Sequence, residues 1–284
     1  MVRLSLFCLL LLCCVCRPTK QNTQAFDGSK NYQRVIASNL FSAEIAWFLG
    51  PDAQKRIIAV PQIVDDTRYS DQILNKWPKN IHRIYRATEE MVSLKPDLVI
   101  VASFLSVETR SLIQRLKIDM VSLDSFTGFT AYKNNVRKIA SALNARKKGE
   151  AIIKQFEKRL KKVRERARKM KPLTVMSYLY GSTMGSNSTF HDAVTAAGLQ
   201  NRSAQAGIKR YKNISVEELR VYDPDVIVTS CGKISCAHAE KNLVKKLGLK
   251  QLRAQIIAIP SNTLASTNER MLVVAETLQS RLNN

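Results

Sequence analysis

The chain is poor in the residues that usually hold metal ions or carry out covalent catalysis. Only three of its 284 residues are histidines, His82, His191 and His238, and no spacing pairs them. A site for bare zinc or manganese needs about four convergent His, Asp or Glu ligands, which this pattern does not supply. A Gly-x-Ser-x-Gly motif is absent as well, because Thr183 occupies the nucleophile position between Gly181 and Gly185. A metal-binding protein and an exported hydrolase remain only as alternatives.

Cysteine is scarce beyond the start of the chain. Four of the six cysteines lie within the first 16 residues, which leaves Cys231 and Cys236. In an oxidising compartment their spacing allows a local disulfide around the loop Gly232 to Ser235, and otherwise they are free thiols. Zinc binding is poorly supported, since His238 alone does not supply the missing ligands. The disulfide and the free thiols both stay open here.

Long apolar runs are lacking too, since no stretch approaches the 18 or so residues of a membrane-spanning helix. The apolar run from Leu4 to Val15 is too short to span a bilayer and is followed by Arg17, as in a secretory signal. We predict that residues 1–25 form a signal peptide cut after Ala25, and that the mature protein is periplasmic. The alternative is a lipid-anchored form, attached at one of the three neighbouring cysteines, Cys13, Cys14 and Cys16.

Acidic residues are few relative to basic ones. The chain has 45 Lys and Arg against 23 Asp and Glu, a formal net charge of +22. Such an excess is typical of proteins that bind nucleic acids or acidic surfaces, and export argues against nucleic acid. Much of the charge lies between Arg146 and Lys171, where apolar residues recur every three or four positions from Ile153 to Met170. This pattern predicts one long helix that ends before Pro172, with a buried seam and a solvated basic face.

Short apolar strands alternate with helices on both sides of this long helix, which is the pattern of α/β lobes with largely parallel sheets. We predict strands at Arg34–Ser38, Arg56–Val60, Asp97–Ala102, Asp119–Leu123, Leu173–Leu179, Asp225–Thr229 and Gln255–Ile259. We predict helices at Ala43–Leu49, Val107–Leu116, Asp192–Ala197 and Thr267–Leu282. The last helix opens with Ser266 and Glu269 at the spacing of a capping box.

An internal repeat supports two related lobes. The segment Thr88–Ile100 recurs as Val216–Val228 at a constant offset of 128 residues. Each copy reads as a short helix with an acidic start, a Pro-Asp stop and a buried strand. We therefore predict an α/β fold with two Rossmann-like lobes joined by a single long backbone helix and a ligand cleft between the lobes. The predicted parts are an N-terminal lobe at 34–143, the helix at 144–171 and a C-terminal lobe at 172–284.

These features resemble the helical-backbone class, class III, of periplasmic substrate-binding proteins of ABC importers. The resemblance is carried by Arg34–Ser38 with Ala43–Gly50, Leu94–Ile100, the long helix and His191–Asn201. It implies a monomer without enzymatic activity or cofactor that captures a ferric siderophore-type iron chelate or cobalamin. The implied partner is a permease dimer with its ATPase subunits. Haem is an alternative ligand, which His82 or Tyr85 would coordinate, and bare zinc or manganese is another.

The resemblance also implies one surface glutamate per lobe that docks into arginine pockets of the permease. By position these are Glu89 and Glu217, each seven residues before the proline of a Pro-Asp pair. Charge-assisted pairs at two fixed points would define one docking pose. The other interpretation is that acids favour the first turn of any helix. Ser215 and Glu218 have capping-box spacing, so Glu218 has a local role that Glu217 lacks.

Ligands of open parallel sheets lie beyond the carboxyl ends of the strands, so the loops after the predicted strands supply the candidates for the cleft. The candidates are Asn39, Phe41, Arg68, Tyr69, Ser103, Phe104, Tyr180, Ser182, Cys231 and Asn262. Aromatic, small and polar side chains together suit a large, flat or ring-containing ligand. Arg68, Arg83 or Arg86 would meet carboxylates or catecholates. For Phe41 and Phe104, an ordinary place in the core is an equally good interpretation.

Overall fold

The structure is a computed structural model that describes residues 30–70, 72–85, 89–123, 125–232, 234–248 and 253–283. The predicted signal peptide, residues 1–25, and Arg86 lie outside the described residues. The strands are β1 (Val35–Ala37), β2 (Ile57–Pro61), β3 (His82–Ile84), β4 (Leu98–Ala102), β5 (Asp119–Leu123), β6 (Thr174–Ser177), β7 (Ser182–Met184), β8 (Gln200–Asn201), β9 (Tyr211–Asn213), β10 (Val226–Cys231) and β11 (Gln255–Pro260).

The helices have these bounds: α1 (Leu40–Phe48), α2 (Pro51–Gln54), α3 (Glu89–Ser93), α4 (Val107–Arg115), α5 (Gly128–Ala142), α6 (Arg146–Ala167), α7 (Thr189–Ala196), α8 (Arg202–Gln205), α9 (Val216–Tyr222), α10 (Cys236–Leu247), α11 (Ser261–Leu264) and α12 (Met271–Leu282). A short 3-10 helix covers Gln62–Asp65. Within the described ranges, none of these helices has the length and apolar character needed to span a membrane.

Two parallel sheets form the centres of the two lobes. The first has the order β3-β2-β1-β4-β5, and the second has the order β11-β10-β6-β8. Every residue of β4 is buried, as expected for a parallel strand that is covered on both faces. A separate antiparallel pair, β7 with β9, belongs to the second lobe. The predicted α/β class with two parallel-sheet lobes is confirmed.

The two copies of the internal repeat have the same local structure. In each, a short helix (α3 or α9) is followed by a residue with a left-handed backbone and then by a central strand (β4 or β10). The left-handed residues are Lys95, with φ 49°, and Asp223, with φ 41°. They occupy equivalent positions, since 95 + 128 = 223. In both copies of the repeat, the chain therefore leaves the helix through the same turn before it enters the sheet.

The aspartates of the two Pro-Asp pairs hold the first strand of each lobe in place. The Asp97 carboxylate accepts a hydrogen bond from the Arg34 backbone N–H at 3.0 Å, next to β1. The Asp225 carboxylate accepts hydrogen bonds from the Thr174 backbone N–H and hydroxyl, both at 2.7 Å, at the start of β6. These bonds lower the pKa of Asp225. The sequence repeat is therefore also a repeat of a strand-anchoring contact.

The long helix α6 links the lobes along one continuous seam, as predicted. The seam consists of four buried residues of α6 itself, namely Ile153, Phe156, Leu160 and Val163. It packs on α5 of the first lobe, where a Cβ added to Gly149 would lie 2.4 Å from the Ala140 side chain. At the other end, a Cβ added to Gly198 would lie 2.7 Å from the Ala167 carbonyl oxygen. Glycine thus permits a close approach of α6 to each lobe.

The start of the last helix differs from the prediction. Helix α12 begins at Met271 with Arg270 as its N-cap and no side-chain cap, so the capping-box interpretation of Ser266 and Glu269 is wrong. The Ser266 hydroxyl instead donates to the Asn268 side-chain oxygen at 2.6 Å. The Asn268 side-chain amide has hydrogen-bond partners in the other lobe. These contacts, and not a local cap, set the conformation of the segment before α12. The segment from Ala265 to Arg270 is consequently a loop that faces the first lobe.

Candidate ligand-binding site

A cavity of about 190 Å³ lies between the two lobes, and we call it the interlobe cavity. Its walls are the segments that follow β1, β2 and β11, namely α1, the loop with Arg68 and Tyr69, and α11 with the loop after it, as expected for a ligand site at the carboxyl ends of parallel strands. The lining residues are Leu40, Phe41, Glu44, Arg68, Tyr69, Ser261, Asn262, Ala265, Ser266, Thr267, Asn268 and Arg270. Four of the predicted cleft residues, Phe41, Arg68, Tyr69 and Asn262, therefore meet at one site.

The start of α1 forms one wall because Asn39 caps it. The Asn39 side-chain oxygen accepts from the Ser42 backbone N–H at 2.9 Å, and Ser42 returns the contact to the Asn39 N–H, which completes a capping box. This cap places Phe41 and Glu44, which are 4% and 5% exposed, against the cavity. The Asn39 side-chain nitrogen is buried without a hydrogen-bond partner in the part of the chain that the structure describes. Asn39 thus positions the wall and does not itself line the cavity.

Two arginines from different lobes border the cavity. The Arg68 guanidinium donates to both carboxylate oxygens of Asp66, at 2.5 to 3.0 Å, and lies 5.3 Å from the centre of the Tyr69 ring. The Asp66 hydrogen bond raises the pKa of Arg68. Arg270 donates to the Thr263 hydroxyl at 2.6 Å. Because Asp66 neutralises part of the Arg68 charge, the positive field in the cavity is moderate.

A buried hydrogen-bond network forms the floor of the cavity and joins the lobes. The Asn268 side-chain nitrogen donates to the Glu44 carboxylate at 2.7 Å and to the Gln72 side-chain oxygen at 3.1 Å. The Gln72 nitrogen in turn donates to the Glu269 carboxylate at 2.7 Å. Buried polar groups are stabilising only when such partners are present. The network therefore sets the relative position of the walls.

Aromatic rings continue from the cavity along the first lobe. Phe41 makes an edge-to-face contact with Phe126 at 5.8 Å between ring centres, and Phe126 lies 6.0 Å from Phe104. Phe41 is buried and belongs to the core as well as to the cavity wall. Phe104 is 80% exposed, so the interpretation of Phe104 as a core residue is wrong. Its ring offers uncovered apolar surface beside the cleft.

The second lobe has a cavity of its own at the carboxyl end of β10, with a volume of about 290 Å³. It is lined by Tyr178, Tyr180, Thr229, Ser230, Gly232, Ile234, Ala239, Asn242, Leu243 and Lys246. Tyr180 has a left-handed backbone, with φ 50°, and its side chain is 90% exposed. Cys231 and Cys236 form a disulfide with their Cα atoms 4.9 Å apart, which closes the loop that carries Gly232 and Ile234. Of the two states that the spacing left open, the structure contains the disulfide.

Several predicted residues line neither cavity. Asn39, Ser103, Phe104, Ser182 and Cys231 are in this group. The Ser182 hydroxyl donates to the Leu179 carbonyl oxygen at 2.9 Å. The Arg83 guanidinium is held by Asp65 at 2.7 Å and by the Trp77 carbonyl oxygen at 3.0 Å and lines neither cavity, so its ligand-binding role stays a prediction.

The residues proposed for haem coordination or for a bare metal ion lie apart from both cavities. His82 bonds Glu90 at 2.6 Å, and the neighbouring Tyr85 is 67% exposed. Neither side chain lines the interlobe cavity or the cavity of the second lobe. Over the residues that the structure covers, no three His, Cys, Asp or Glu side chains are grouped so that they could hold a metal ion.

The predicted docking acids share one environment in the two lobes. Glu89 and Glu217 both lie in the first turn of a short helix and are exposed. Their neighbours are engaged locally, since Glu90 accepts from the Tyr85 backbone N–H at 2.8 Å and Glu218 accepts from the Ser215 N–H at 2.9 Å. A hydrogen bond from its own backbone N–H, with a second from Ser215, lowers the pKa of Glu217. In each pair the second acid accepts a hydrogen bond from the backbone N–H of an earlier residue, and in the second lobe Glu217 is engaged at the helix start as well.

Sequence reasoning missed Glu44, Phe126, Asn268 and Arg270. For the last two, the start of the apolar run at Met271 was a usable signal, because it shows that the preceding polar residues belong to a loop. Nothing in the sequence marks Glu44, which sits among apolar residues of an ordinary helix. Its role depends on a partner that is 224 residues away.

Comparison with known proteins agrees with this architecture. Residues 35–265 match the Periplasmic binding protein family, and the chain belongs to that family. Homologues in the family are periplasmic substrate-binding proteins that work with an ABC transporter permease and ATPase. A comparison with curated protein sequences finds no match. The predicted resemblance to the binding proteins of iron, haem and cobalamin importers is confirmed.

Solved structures with the same fold bind several ligands. The periplasmic heme-binding protein RhuT from Roseiflexus sp. RS-1 is 25% identical, with 88% of this chain and 97% of that chain covered and a TM-score of 0.70. The periplasmic vitamin B12 binding protein BtuF of Vibrio cholerae is 20% identical, with 89% and 97% covered and a TM-score of 0.69. A possible iron-binding protein from Staphylococcus epidermidis is 17% identical, with 90% and 100% covered and a TM-score of 0.73.

Proposed function

We propose that this chain is the substrate-binding component of an ABC importer that captures a ferric siderophore-type iron chelate or cobalamin and delivers it to the permease. The interlobe cavity carries this proposal, because both lobes contribute walls and a buried network joins them. In this proposal the protein is exported by a signal peptide, acts as a monomer in the periplasm, and has neither a catalytic role nor a resident cofactor.

A large ring-containing ligand is favoured by the uncovered aromatic side chains. The interlobe cavity alone is smaller than the 300 to 1,000 Å³ that usually encloses a drug-sized ligand. Phe104 on the first lobe and Tyr180 on the second are 80% and 90% exposed and add uncovered aromatic surface outside it. Full burial of one such ring would contribute about 1.5 to 3 kcal/mol. A flat ligand that covers both rings would gain binding energy that a bare ion cannot gain.

Haem is the second candidate, and a specific observation favours it. Tyr69 lines the interlobe cavity and is 49% exposed, so its phenol is accessible, and a tyrosine oxygen is a known haem-iron ligand. The relative RhuT, at 25% identity, is described as heme-binding. Binding through Tyr69 would produce a haem absorbance change that Tyr69→Phe abolishes. A siderophore or cobalamin would not need that phenol.

Titration of the purified chain tests the proposal. Ferric hydroxamate and ferric catecholate chelates, cyanocobalamin, haem, zinc and manganese would each be added while calorimetry and tryptophan fluorescence are recorded. We expect one site for a chelate or cobalamin, with a dissociation constant of about 1 μM or lower, or roughly −8 kcal/mol. Binding of haem alone would favour the second candidate. Binding of zinc or manganese alone would replace the proposal with a bare-metal function.

A matched pair of variants then locates the ligand. Phe104→Ala should weaken binding about tenfold without a change in melting temperature, because the ring is exposed in the free protein. Val221→Ala is the control, since Val221 is also 80% exposed but lies on α9, away from both cavities. Equal affinities of the parent and Phe104→Ala for the bound ligand would show that the aromatic surface is not part of the site.

The docking acids are tested separately from the ligand. Changing Glu89 and Glu217 together to Ala should leave ligand affinity unaltered but weaken transport and stimulated ATP hydrolysis by the importer in proteoliposomes. Loss of one partner of an interfacial charge pair costs about 2 to 5 kcal/mol. The control is the double change of Glu90 and Glu218, which should lower helix stability and not docking. Transport equal to that of the parent at matched protein levels would refute the assignment.

A further inference from the structure

The outer face of α6 carries a row of lysines opposite the buried seam. Lys147, Lys154, Lys158 and Lys162 are spaced by seven, four and four residues, which brings them to the same side of a helix with 3.6 residues per turn. All four are exposed. At a rise of 1.5 Å per residue, this lysine row is about 22 Å long. Three more exposed cations continue beyond the end of α6, namely Arg168, Lys169 and Lys171.

Among the described residues, the lysine row has no paired counter-ion. None of its four ammonium groups makes an ion pair or hydrogen bond with a described residue, whereas cations on the flanks of the helix do. Lys148 pairs with Asp52 at 3.5 Å, and Arg159 pairs with Glu276 at 2.6 Å. Two of the three acids of α6 face the flanks, where Glu150 pairs with Arg137 and Glu157 pairs with Lys133, and the third, Glu165, pairs with Lys161 at 4.0 Å.

Mutual repulsion within the row has a cost that a bound anion would remove. Lys154, Lys158 and Lys162 form two like-charge pairs at i, i+4 spacing, and each such pair destabilises a helix slightly. Lysine ammonium groups are point charges that suit phosphate oxygens. Because the charges follow a single line, a linear partner can meet all of them at once.

The lysine row lies away from the ligand site and the proposed docking acids. The start of α6 is close to Gly50, near the amino end of β2, and the chain leaves α6 directly into the amino end of β6. The cleft loops and the helices of the docking acids follow the carboxyl ends of strands instead. No residue of α6 lines the interlobe cavity. A partner on the row would therefore leave the cleft open.

We propose that the lysine row binds a linear, phosphate-bearing polymer of the cell envelope that lies extended along α6. The other positions on this side of α6 are held by Ala151, between Lys147 and Lys154, and by Glu165, beyond Lys162, so the row has no aromatic ring on which a nucleobase could stack. It also has no apolar face to insert into a bilayer, because the seam of α6 is buried in the core. The choice of an envelope polymer rests on the proposed export, whereas phosphate-polymer binding itself does not.

Fluorescence anisotropy with end-labelled inorganic polyphosphate, longer than the row, tests the proposal on the full chain. We expect binding that weakens with salt, and tripolyphosphate, which cannot span the row, should bind far more weakly. The triple change Lys154→Gln, Lys158→Gln and Lys162→Gln should weaken binding about tenfold or more. It should also reduce the slope of log K against log salt concentration by about 2, at roughly 0.7 per neutralised contact for a flexible chain.

The control separates a defined row from net charge. The triple change Lys79→Gln, Lys117→Gln and Lys241→Gln removes the same charge from exposed, unpaired lysines elsewhere and should leave polyphosphate binding within about twofold of the parent. Equal losses in both triples would overturn the proposal. Tighter binding of the parent to phosphatidylglycerol vesicles than to polyphosphate would overturn it as well. The parent and the two triple variants should bind the iron chelate with the same affinity. Failure of polyphosphate binding is therefore distinguishable from failure of the proposed function.

Discussion

The buried network at the floor of the interlobe cavity makes a sharp prediction for Asn268→Asp. Asn268 is 4% exposed and donates to the Glu44 carboxylate at 2.7 Å, and Glu44 is 5% exposed. The substitution replaces a donor with a second carboxylate of the same shape. Glu269, which is linked through Gln72, the Tyr132 hydroxyl, and Arg68 and Arg270 of the cavity lining are the other titratable groups nearby. Burial raises the pKa of Tyr132, which stays neutral, so it does not offset the added charge.

The expected loss depends on pH. A lost hydrogen bond to a charged group costs about 1.5 to 3 kcal/mol, and an uncompensated buried charge costs about 3 to 5 kcal/mol. We therefore expect about 4 kcal/mol at pH 8, where both carboxylates are ionised. Two carboxylates in contact raise the pKa of one of them above its unfolded value. The stability that the shared proton supplies is present at low pH and is lost as pH rises through that raised pKa, so the loss should shrink to about 2 kcal/mol near pH 5.

Thermal unfolding at pH 5 and pH 8 measures this difference. For a chain of this size, 1 kcal/mol shifts the melting temperature by about 2 to 4 °C, so Asn268→Asp should melt about 8 to 16 °C below the parent at pH 8. Asn268→Ala is the control, since it removes the donor but adds no charge, and its loss should not grow with pH. A melting temperature equal to that of the parent at pH 8, or a pH dependence shared with Asn268→Ala, would show that the network is not closed as described.

Three further outcomes follow from single contacts. Asp225→Ala should lower the melting temperature at pH 7, and the difference from the parent should begin to shrink below about pH 4 and go on shrinking as pH falls further, because the hydrogen bonds from Thr174 lower the pKa of Asp225 and their stabilisation is lost as pH falls through that lowered pKa; a difference that is the same at pH 7 and at about pH 2 would contradict this. Gly149→Val should destabilise by about 1 to 3 kcal/mol in urea unfolding, because even a Cβ would meet the Ala140 side chain at 2.4 Å; wild-type stability would show that α5 and α6 can separate freely. Cys231→Ser with Cys236→Ser should leave the fold intact but lower stability by about 2 kcal/mol, since a closed loop is released; no change in melting temperature with or without reductant would argue against the bond.

The regular elements were predictable because local periodicity is enough to indicate them. The prediction of β5 at Asp119–Leu123 is confirmed at both ends, and the seam from Ile153 to Val163 is buried as its spacing required. Short elements were missed, among them β3 and the pair of β7 with β9. Helix α5 was missed as well, although its buried residues Phe129, Tyr132, Val136 and Ile139 recur every three or four positions, as those of α6 do.

The candidate site was predictable only in part. Loops after strands could be named from the sequence because parallel sheets place those loops at one edge, and four residues found in this way do meet in the interlobe cavity. The direction of a side chain within a loop was not predictable. Arg83 turns to Asp65 and nearby carbonyl oxygens, and Ser182 turns to its own hairpin. Each side chain is held by partners within its own lobe.

The sequence by itself determined the class of this protein. The repeat at an offset of 128 residues specifies two related lobes, since the same helix, turn and aspartate anchor recur at Asp97 and Asp225, and the amphipathic period of α6 specifies one connecting helix. Only the tertiary structure decided which polar groups close the space between the lobes. The bond between Glu44 and Asn268 joins residues 224 positions apart, and no local pattern encodes a contact that forms only after both lobes have folded and met.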